Sequence, residues 1–469
     1  MSKIAKGIAV KSALLTVCFG FAGCVSVSND GGMGVVQSSV STSLSAKVDK
    51  DETGIGHRAA IHALLKKSLS PERAVQVALF NNKGLQAAFN DLGVSEAQFV
   101  QASQPTNPSL TVLGLTGGGA FDIEQRLTTS LLALFLAQPR QELAQAQIKA
   151  AQIKAIATAL QLAADTRAQY WRTVAAREQY ATLVLTRGSA QTAAELAQRL
   201  GQTGALGKLD QAREFAFHAE LSARVQLAQT QVFLEHERLA RLMGLWGKQA
   251  TFTVPMRLPA LPKKIRTERV IETDAILHRV DLKLARATLD VVARQYGLVQ
   301  STRLISVFDF TGAQNNAGSS GARTQLNGAE INLSIPIYDF GSARIREAEQ
   351  AYRAAANRLA DKAITIRSQV REAFLGYRGA WSVARTYQLQ VLPLRKTIEE
   401  EQLLQYNGML ADMFTLLVEA RARLASQSAA IDAKRDFWLA QENLRAATIG
   451  GFNAASATDG KAPANDSTQ

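Results

Sequence analysis

The chain has 469 residues, room for two or three ordinary domains, with 47% apolar, 20% charged and only 6% aromatic residues. Its formal net charge is +13, yet Lys and Arg are interleaved with Glu and Asp and form no block of like charge, which argues for solvated helix faces and against nucleic acid as a partner. Both cysteines, Cys18 and Cys24, fall at the N-terminus and the five histidines are scattered, so the body offers no disulfide framework, no metal site and no expected cofactor.

The N-terminal stretch "MSKIAKGIAVKSALLTVCFGFAGC" has a basic start, an apolar run and small residues before Cys24. It reads as a secretory signal over residues 1–23, too short to span a membrane as a helix. The ending "FAGC" resembles a bacterial lipobox, which makes Cys24 the acylated first residue of the mature chain. The alternative is ordinary cleavage with Cys24 a bystander. Val25 follows the cysteine, and by resemblance to bacterial lipoproteins nothing there retains the chain in the inner membrane. Residues 24–57, rich in Ser, Val, Gly and Asp, read as an extended tether.

A first repeat is expected over 58–250. It opens with a Ser-Pro-Glu helix start at Ser70 and an apolar stripe through Val75, Leu79, Leu85, Phe89 and Leu92, in one helix from Glu72 to Ser103. A β-hairpin follows at about 108–136, from "PSLTVLGLTG" and "RLTTSLLALF". Then come a long helix, Pro139 to Arg199, a glycine-rich turn, and a helix from Gly207 to Leu245. A second repeat over 251–450 follows the same order. Shifting the chain by 197 lays Leu85 on Leu282, Ala88 on Ala285 and Leu92 on Leu289. Its helix runs from Thr267 to Gln300, its β-hairpin spans about 303–340, and its long helix runs from Ser342 to Tyr406 before a last helix from Leu410 to Thr448.

In the second hairpin "INLSIPIY" alternates, with Ile331, Leu333, Ile335 and Ile337 on one face and Asn332, Ser334 and Tyr338 on the other, and the Gly/Asn/Ser-rich "QNNAGSSGARTQLNG" is expected to connect the strands. Each long helix is on the order of 90 Å. The two shorter helices of each repeat, taken end to end, match it in length, which suggests coiled-coil arms with a hairpin at one end of each. Residues 451–469 read as a disordered tail.

Four strands per chain cannot close a barrel, and open strand edges cannot sit in lipid. If the strands span a membrane, several copies must pool them; three copies give twelve strands, within the range of outer-membrane barrels.

The stretch "RLGQTGALGKLD", Arg199 to Asp210, suggests a phosphate loop, but Gly201 and Gly207 enclose five residues rather than four, and Leu209 stands where a hydroxyl is needed. It therefore reads as a helix-to-helix turn. Its counterpart is "QYNGMLADM", with Gly204 laid on Gly408. No nucleophile elbow, metal cluster or dinucleotide loop is present, and the chain is not read as an enzyme.

From Ser70 to Gly450 the chain resembles the TolC-like outer-membrane efflux proteins. The motifs that carry this are "AVQVALFNNKGLQAA" and its echo "RVDLKLARA", "EHERLARLMGL", "LSIPIYDFGSARIREAEQAYRAA" and "LLQYNGMLADMFTLLVEARARLA". Where the second copy has "PIYDFGSAR", the first has "LFLAQPRQE", without the Asp-Phe-Gly turn. The resemblance implies a mainly α fold with a membrane β part, internally duplicated and trimeric, in the outer membrane of a Gram-negative bacterium. It also implies a periplasmic adaptor and an inner-membrane pump as partners, with outer-membrane lipid around the barrel. The implied function is conduction across the outer membrane in a tripartite efflux system. A coiled-coil spacer lipoprotein without a pore is the alternative. The two turns become periplasmic tips, with Gly201, Gly204, Leu206, Gly207, Gly408, Met409 and Leu410 as docking candidates. Glu399, Glu400 and Glu401 become a candidate acidic gate ring.

Overall fold

A computed structural model describes residues 28, 30–50, 56–265, 277–319, 322–338 and 340–450. The signal peptide, Cys24, the expected helix start at Thr267 and the 451–469 tail lie outside the described residues. The elements in chain order begin with α1 (Met33–Leu44), α2 (Arg58–Leu65), α3 (Pro71–Asn81) and α4 (Lys83–Ser103). Strands β1 (Ser109–Gly117) and β2 (Ala120–Ser130) follow, then α5 (Leu131–Phe135), α6 (Ala137–Gln202) and α7 (Lys208–Leu242). The second half has α8 (Val280–Ser301), β3 (Val307–Ser319), β4 (Ala322–Ser334), α9 (Ser342–Thr386), α10 (Leu392–Asn407) and α11 (Met413–Ile449). Contact density divides the chain into two units, one holding 91–151 and 287–356 with the residues up to Gly32, the other 33–90, 152–286 and 357 onward. Among the described residues, no helix is long and apolar enough to cross a membrane.

The first unit is built on one antiparallel sheet in the order β1-β2-β3-β4, so the two hairpins join through β2 and β3. Gly118 and Gly119 both take positive φ (59° and 80°), as a two-residue hairpin turn requires. The expected connection at 314–328 is instead mostly strand: β3 runs to Ser319 and β4 starts at Ala322. Asn315 faces Glu124 on one side and Leu326 on the other, so a neighbour on each side supplies ladder bonds that override the low strand propensity of Asn and Gly.

Register sorts the side chains. Leu110, Val112, Ile123, Leu127, Phe310 and Ile331 share one face with Gln125, Gln314, Asn316, Gln325 and Asn327; Asp122, Glu124, Arg126, Asp309, Thr311 and Glu330 share the other. On the polar face Arg126 pairs with Glu124 at 2.7 Å and with Glu330 at 3.5 Å, and the Thr128 and Thr311 hydroxyls meet at 2.8 Å. Every residue of β1 and β4 is exposed. The strand-to-helix exits differ as the sequence indicates. After β4, Phe340 and Gly341 turn at φ 47° and 69°, whereas β2 passes into the short α5, capped by the Ser130 hydroxyl.

In the second unit, Leu69, Val77, Trp171, Val174, Leu239 and Met243 form one core. Leu282, Ile366, Val370, Phe374, Tyr377 and Phe437 form a second, and Trp171 stacks on Trp438 at 4.9 Å. The expected tether holds a helix: in α1, Met33, Val36, Val40 and Leu44 fall three or four residues apart and are buried. After it, the Lys47 backbone exchanges two hydrogen bonds with the Gln76 side chain, at 2.9 and 2.7 Å.

The expected single helix from Glu72 to Ser103 is two, α3 and α4, broken at Asn82 with ψ 116°. The break has a use. The Asn81 and Asn82 amides donate to the carbonyls of Leu242, Met243 and Gly244, which end α7. Gly244 sits there at φ 68°, where a Cβ would lie 2.6 Å from the Asn81 carbonyl oxygen. The second repeat rebuilds this junction with charge. Arg279, on which Asn82 falls in the 197-residue shift, donates to the Ala447 carbonyl at 3.0 Å and to Asp281 at 2.9 and 2.7 Å. Asp281 also pairs with Lys362 at 3.1 Å. Burial pushes the Asp281 carboxyl up, but its hydrogen bonds with Arg279 and the charges of Arg279 and Lys362 outweigh that and hold it below the ordinary range. Gly450, at φ 88°, closes this second junction against Val280.

Two changes test the junctions. Gly244→Ala should cost roughly 2 kcal/mol or more, from left-handed backbone and overlap with Asn81, read as a lowered unfolding midpoint in detergent. Asp281→Asn should destabilise at neutral pH. The wild-type advantage should disappear as pH falls below about 3.9, the ordinary aspartate value, through the depressed folded value.

Candidate functional site

Two helix-to-helix turns, both in the second unit, carry most of the sequence-predicted site residues. In the first, α6 ends at Gln202 and the Ala205 N–H donates to the Leu200 carbonyl at 2.9 Å, while the Gly204 N–H donates to Gly201 at 3.2 Å. This is a Schellman ending, with Gly204 left-handed at φ 77°. A Cβ on Gly201 would overlap the Gln211 side chain, whose amide donates to the Leu206 carbonyl at 3.0 Å and ties the first turn of α7 to the loop. Gly207, extended at φ −65° and ψ 152°, is the N-cap of α7, and Lys208 begins that helix. The loop is a turn.

The second turn repeats the bonding. The Leu410 N–H donates to Gln405 at 2.8 Å and the Met409 N–H to Tyr406 at 3.0 Å. The left-handed residue is Met409, at φ 60°, while Gly408 has φ −83°. This corrects the alignment of Gly204 with Gly408: by geometry Gly204 corresponds to Met409, because the residue after the cap must turn left-handed. A methionine there carries a conformational cost of about 1–2 kcal/mol that glycine avoids. Its side chain is 95% exposed, and Leu410 beside it is 82% exposed. Asp412 then caps α11, accepting from the Thr415 N–H at 2.9 Å. The Thr415 hydroxyl and N–H hold its carboxyl below the usual range, and the Arg213 charge adds to this.

The three acidic candidates do not act alike. Glu399 is ion-paired with Arg423 of α11. Glu400 lies 3.5 Å from Lys396 on its own helix, and both it and Glu401 are exposed. Next to the Glu399–Arg423 pair, Arg395 joins Glu419 at 3.0 Å and the Ser426 hydroxyl at 3.2 Å. These partners were absent from the sequence-based site. Their signal was the opposite charge order at four-residue spacing, Arg395 and Glu399 on α10 against Glu419 and Arg423 on α11. A groove of about 1340 Å³ is lined here by residues of α6, α10 and α11 and of the connection after α7, among them Leu185, Leu258, Glu399, Gln402, Glu419 and Arg423.

Above the tip, α10 is preceded by a π turn, Tyr387–Val391, which interrupts the long helix expected from Ser342 to Tyr406 just before Pro393, a break the sequence itself marks. Pro393 lacks the N–H that would continue the α ladder, which accounts for the shift in bonding. The other side of this hairpin is tied to the first one. Gln179 of α6 donates to Ser428 at 2.7 Å, Arg421 stacks over Phe217, and Leu183, Phe217, Leu221, Leu417 and Leu424 share a core. Glu214, buried beside them, has its carboxyl pushed up by burial, partly opposed by Arg421.

Gly204→Ala and Met409→Gly should differ in sign. The first should lower stability by about 1–2 kcal/mol, while the second should leave it unchanged or raise it by up to about 1 kcal/mol, both from thermal unfolding in detergent.

Neither a family model nor a curated protein matches the sequence. Solved structures do match the fold. A membrane protein from Pseudomonas aeruginosa aligns at 18% identity over 81% of this chain and 93% of that one, with a TM-score of 0.70. The outer membrane protein VceC from Vibrio cholerae aligns at 16% identity over 86% of this chain and 100% of that one, with a TM-score of 0.68. The open state of the Neisseria gonorrhoeae MtrE outer membrane channel aligns at 17% identity over 81% and 89%, with a TM-score of 0.65. The chain therefore has the fold of the TolC-like outer-membrane efflux channels.

Proposed function

We propose that this chain is one subunit of a homotrimeric outer-membrane channel that conducts substrates out of the cell in a tripartite efflux system. The observation that carries the reading is the sheet. One face carries the exposed Leu110, Val112, Ile123, Leu127, Phe310 and Ile331 alongside uncharged Gln125, Gln314 and Asn327, the other bears the charged Asp122, Glu124, Arg126 and Glu330, and both edge strands lack a further partner strand among the described residues. A lipid-facing wall with a wet lumen behind it needs this partition, and open edges in lipid need neighbouring copies. Three copies supply the twelve strands, and the channel fold of the structural neighbours favours that number. A pore-less coiled-coil spacer has no use for such a sheet.

In this reading Cys24 carries the acyl anchor, the tips formed by Gly201–Gly207 and Gly408–Leu410 face the periplasm, and a periplasmic adaptor linked to an inner-membrane pump docks on them. Met409 and Leu410, the most exposed apolar side chains there, make the docking contact. Glu400 and Glu401, multiplied by symmetry, form the acidic ring at the mouth. Glu399 braces α10 against α11 through Arg423.

Deletion of the gene should sensitise its host to at least one member of a panel of drugs and metal salts, and complementation should restore resistance; unaltered sensitivity throughout would count against an export role. Leu206→Pro should abolish complementation while the protein still inserts in the outer membrane. In planar bilayers, Glu400→Ala with Glu401→Ala should weaken cation over anion selectivity, and unchanged selectivity removes the ring from the account.

A further inference from the structure

Position 409 is occupied against its backbone preference. Gly204, at the equivalent place in the first tip, takes positive φ freely, whereas Met409 takes it at a cost. A non-glycine residue held in left-handed backbone directs attention to its side chain. What separates this side chain from the neighbouring Leu410 is a thioether, open to two-electron oxidation. The other methionines with described side chains are placed differently. Met33 and Met243 are 1% and 0% exposed, closed to an oxidant, and Met256 is exposed but belongs to the connection after α7 rather than to a tip.

We propose that Met409 is a reversible oxidation site that regulates the second tip, where a peroxide converts the exposed thioether to the sulfoxide and turns an apolar contact polar. The inference rests on the docking role of the tip. In the step, a sulfur lone pair attacks one peroxide oxygen, the O–O bond breaks and an S–O bond forms. Proton transfer to the departing oxygen releases water when the oxidant is hydrogen peroxide. Methionine loses two electrons and the peroxide gains them. The product places a strong hydrogen-bond acceptor where a partner's apolar surface would seat, so the contact loses its desolvation gain. Methionine sulfoxide reductases can return the residue to the thioether, which makes the change a switch rather than damage. The first tip, with glycine at this position, has no such group.

The test has two arms. The purified full-length protein in detergent is exposed to hydrogen peroxide and each methionine is followed by site-resolving tandem mass spectrometry. Met409 should oxidise at least about tenfold faster than Met33 and Met243, with Met256 as an exposed reference. Protection of Met409 to their level overturns the proposal.

In cells, resistance to a toxicant that kills the deletion strain is measured with and without sublethal peroxide, and each variant is scored by the ratio of the two. The wild-type ratio should fall severalfold, while Met409→Leu, whatever its basal resistance, should keep a ratio near one. Equal falls in both, or no fall in the wild type, overturn the proposal. Met409→Gly separates the two levels of inference. Loss of resistance in Met409→Gly with a peroxide-insensitive wild type keeps docking and removes oxidation. Full resistance in both Met409→Gly and Met409→Gln removes the docking role itself.

Discussion

The constraint on which the rest depends is an unsatisfied edge. A four-stranded sheet whose β1 and β4 are both edges has backbone donors and acceptors that meet no further strand among the described residues. In water they are solvated; in a bilayer each is expensive. The apolar face of Leu110, Val112, Ile123, Phe310 and Ile331 asks for lipid, while the edges forbid it to a single copy. In the proposed channel, closure with other copies would satisfy both demands and would turn Asp122, Glu124, Arg126 and Glu330 toward a watery lumen.

The helical unit solves a different problem, holding long helices without a single globular core. Its solution is repetition. Each half has its own core, the Trp171–Trp438 stack links them, and the end of each returning helix is gripped at a break near the start of its half. Asn81 and Asn82 grip with neutral amides, and Arg279 with a guanidinium neutralised by Asp281. The two halves share the geometry of the grip while its chemistry differs. The same holds for the tips, where one hydrogen-bond pattern is kept with glycine in one copy and methionine in the other.

Much of this was legible in the sequence because it rests on periodicity. The long helices, the alternation around Ile331 and Leu333, the Ser70 cap and the turn nature of "RLGQTGALGKLD" follow from spacing and local chemistry. What escaped depends on neighbours distant in the chain. The break at Asn82 is stabilised by carbonyls some 160 residues away, and no local signal marks it. Asn315 and Gly318 read as loop because their propensity is poor, yet β2 and β4 hold them in the ladder. Helix α1 was hidden by its Ser-rich composition, although Val36, Val40 and Leu44 carried the period. At the candidate site, Glu399 read as one of three candidate ring carboxylates, and its pairing escaped because Arg423 lies on another helix.

The account turns on the edges, and backbone amide exchange reads them directly. With the protein reconstituted in lipid, the outward-edge amides of β1 and β4 should exchange as slowly as those of the central strands β2 and β3 if a neighbouring copy bonds them, as the proposed closure requires. Rapid exchange along both edges, with slow exchange confined to β2 and β3, would contradict closure and the channel with it.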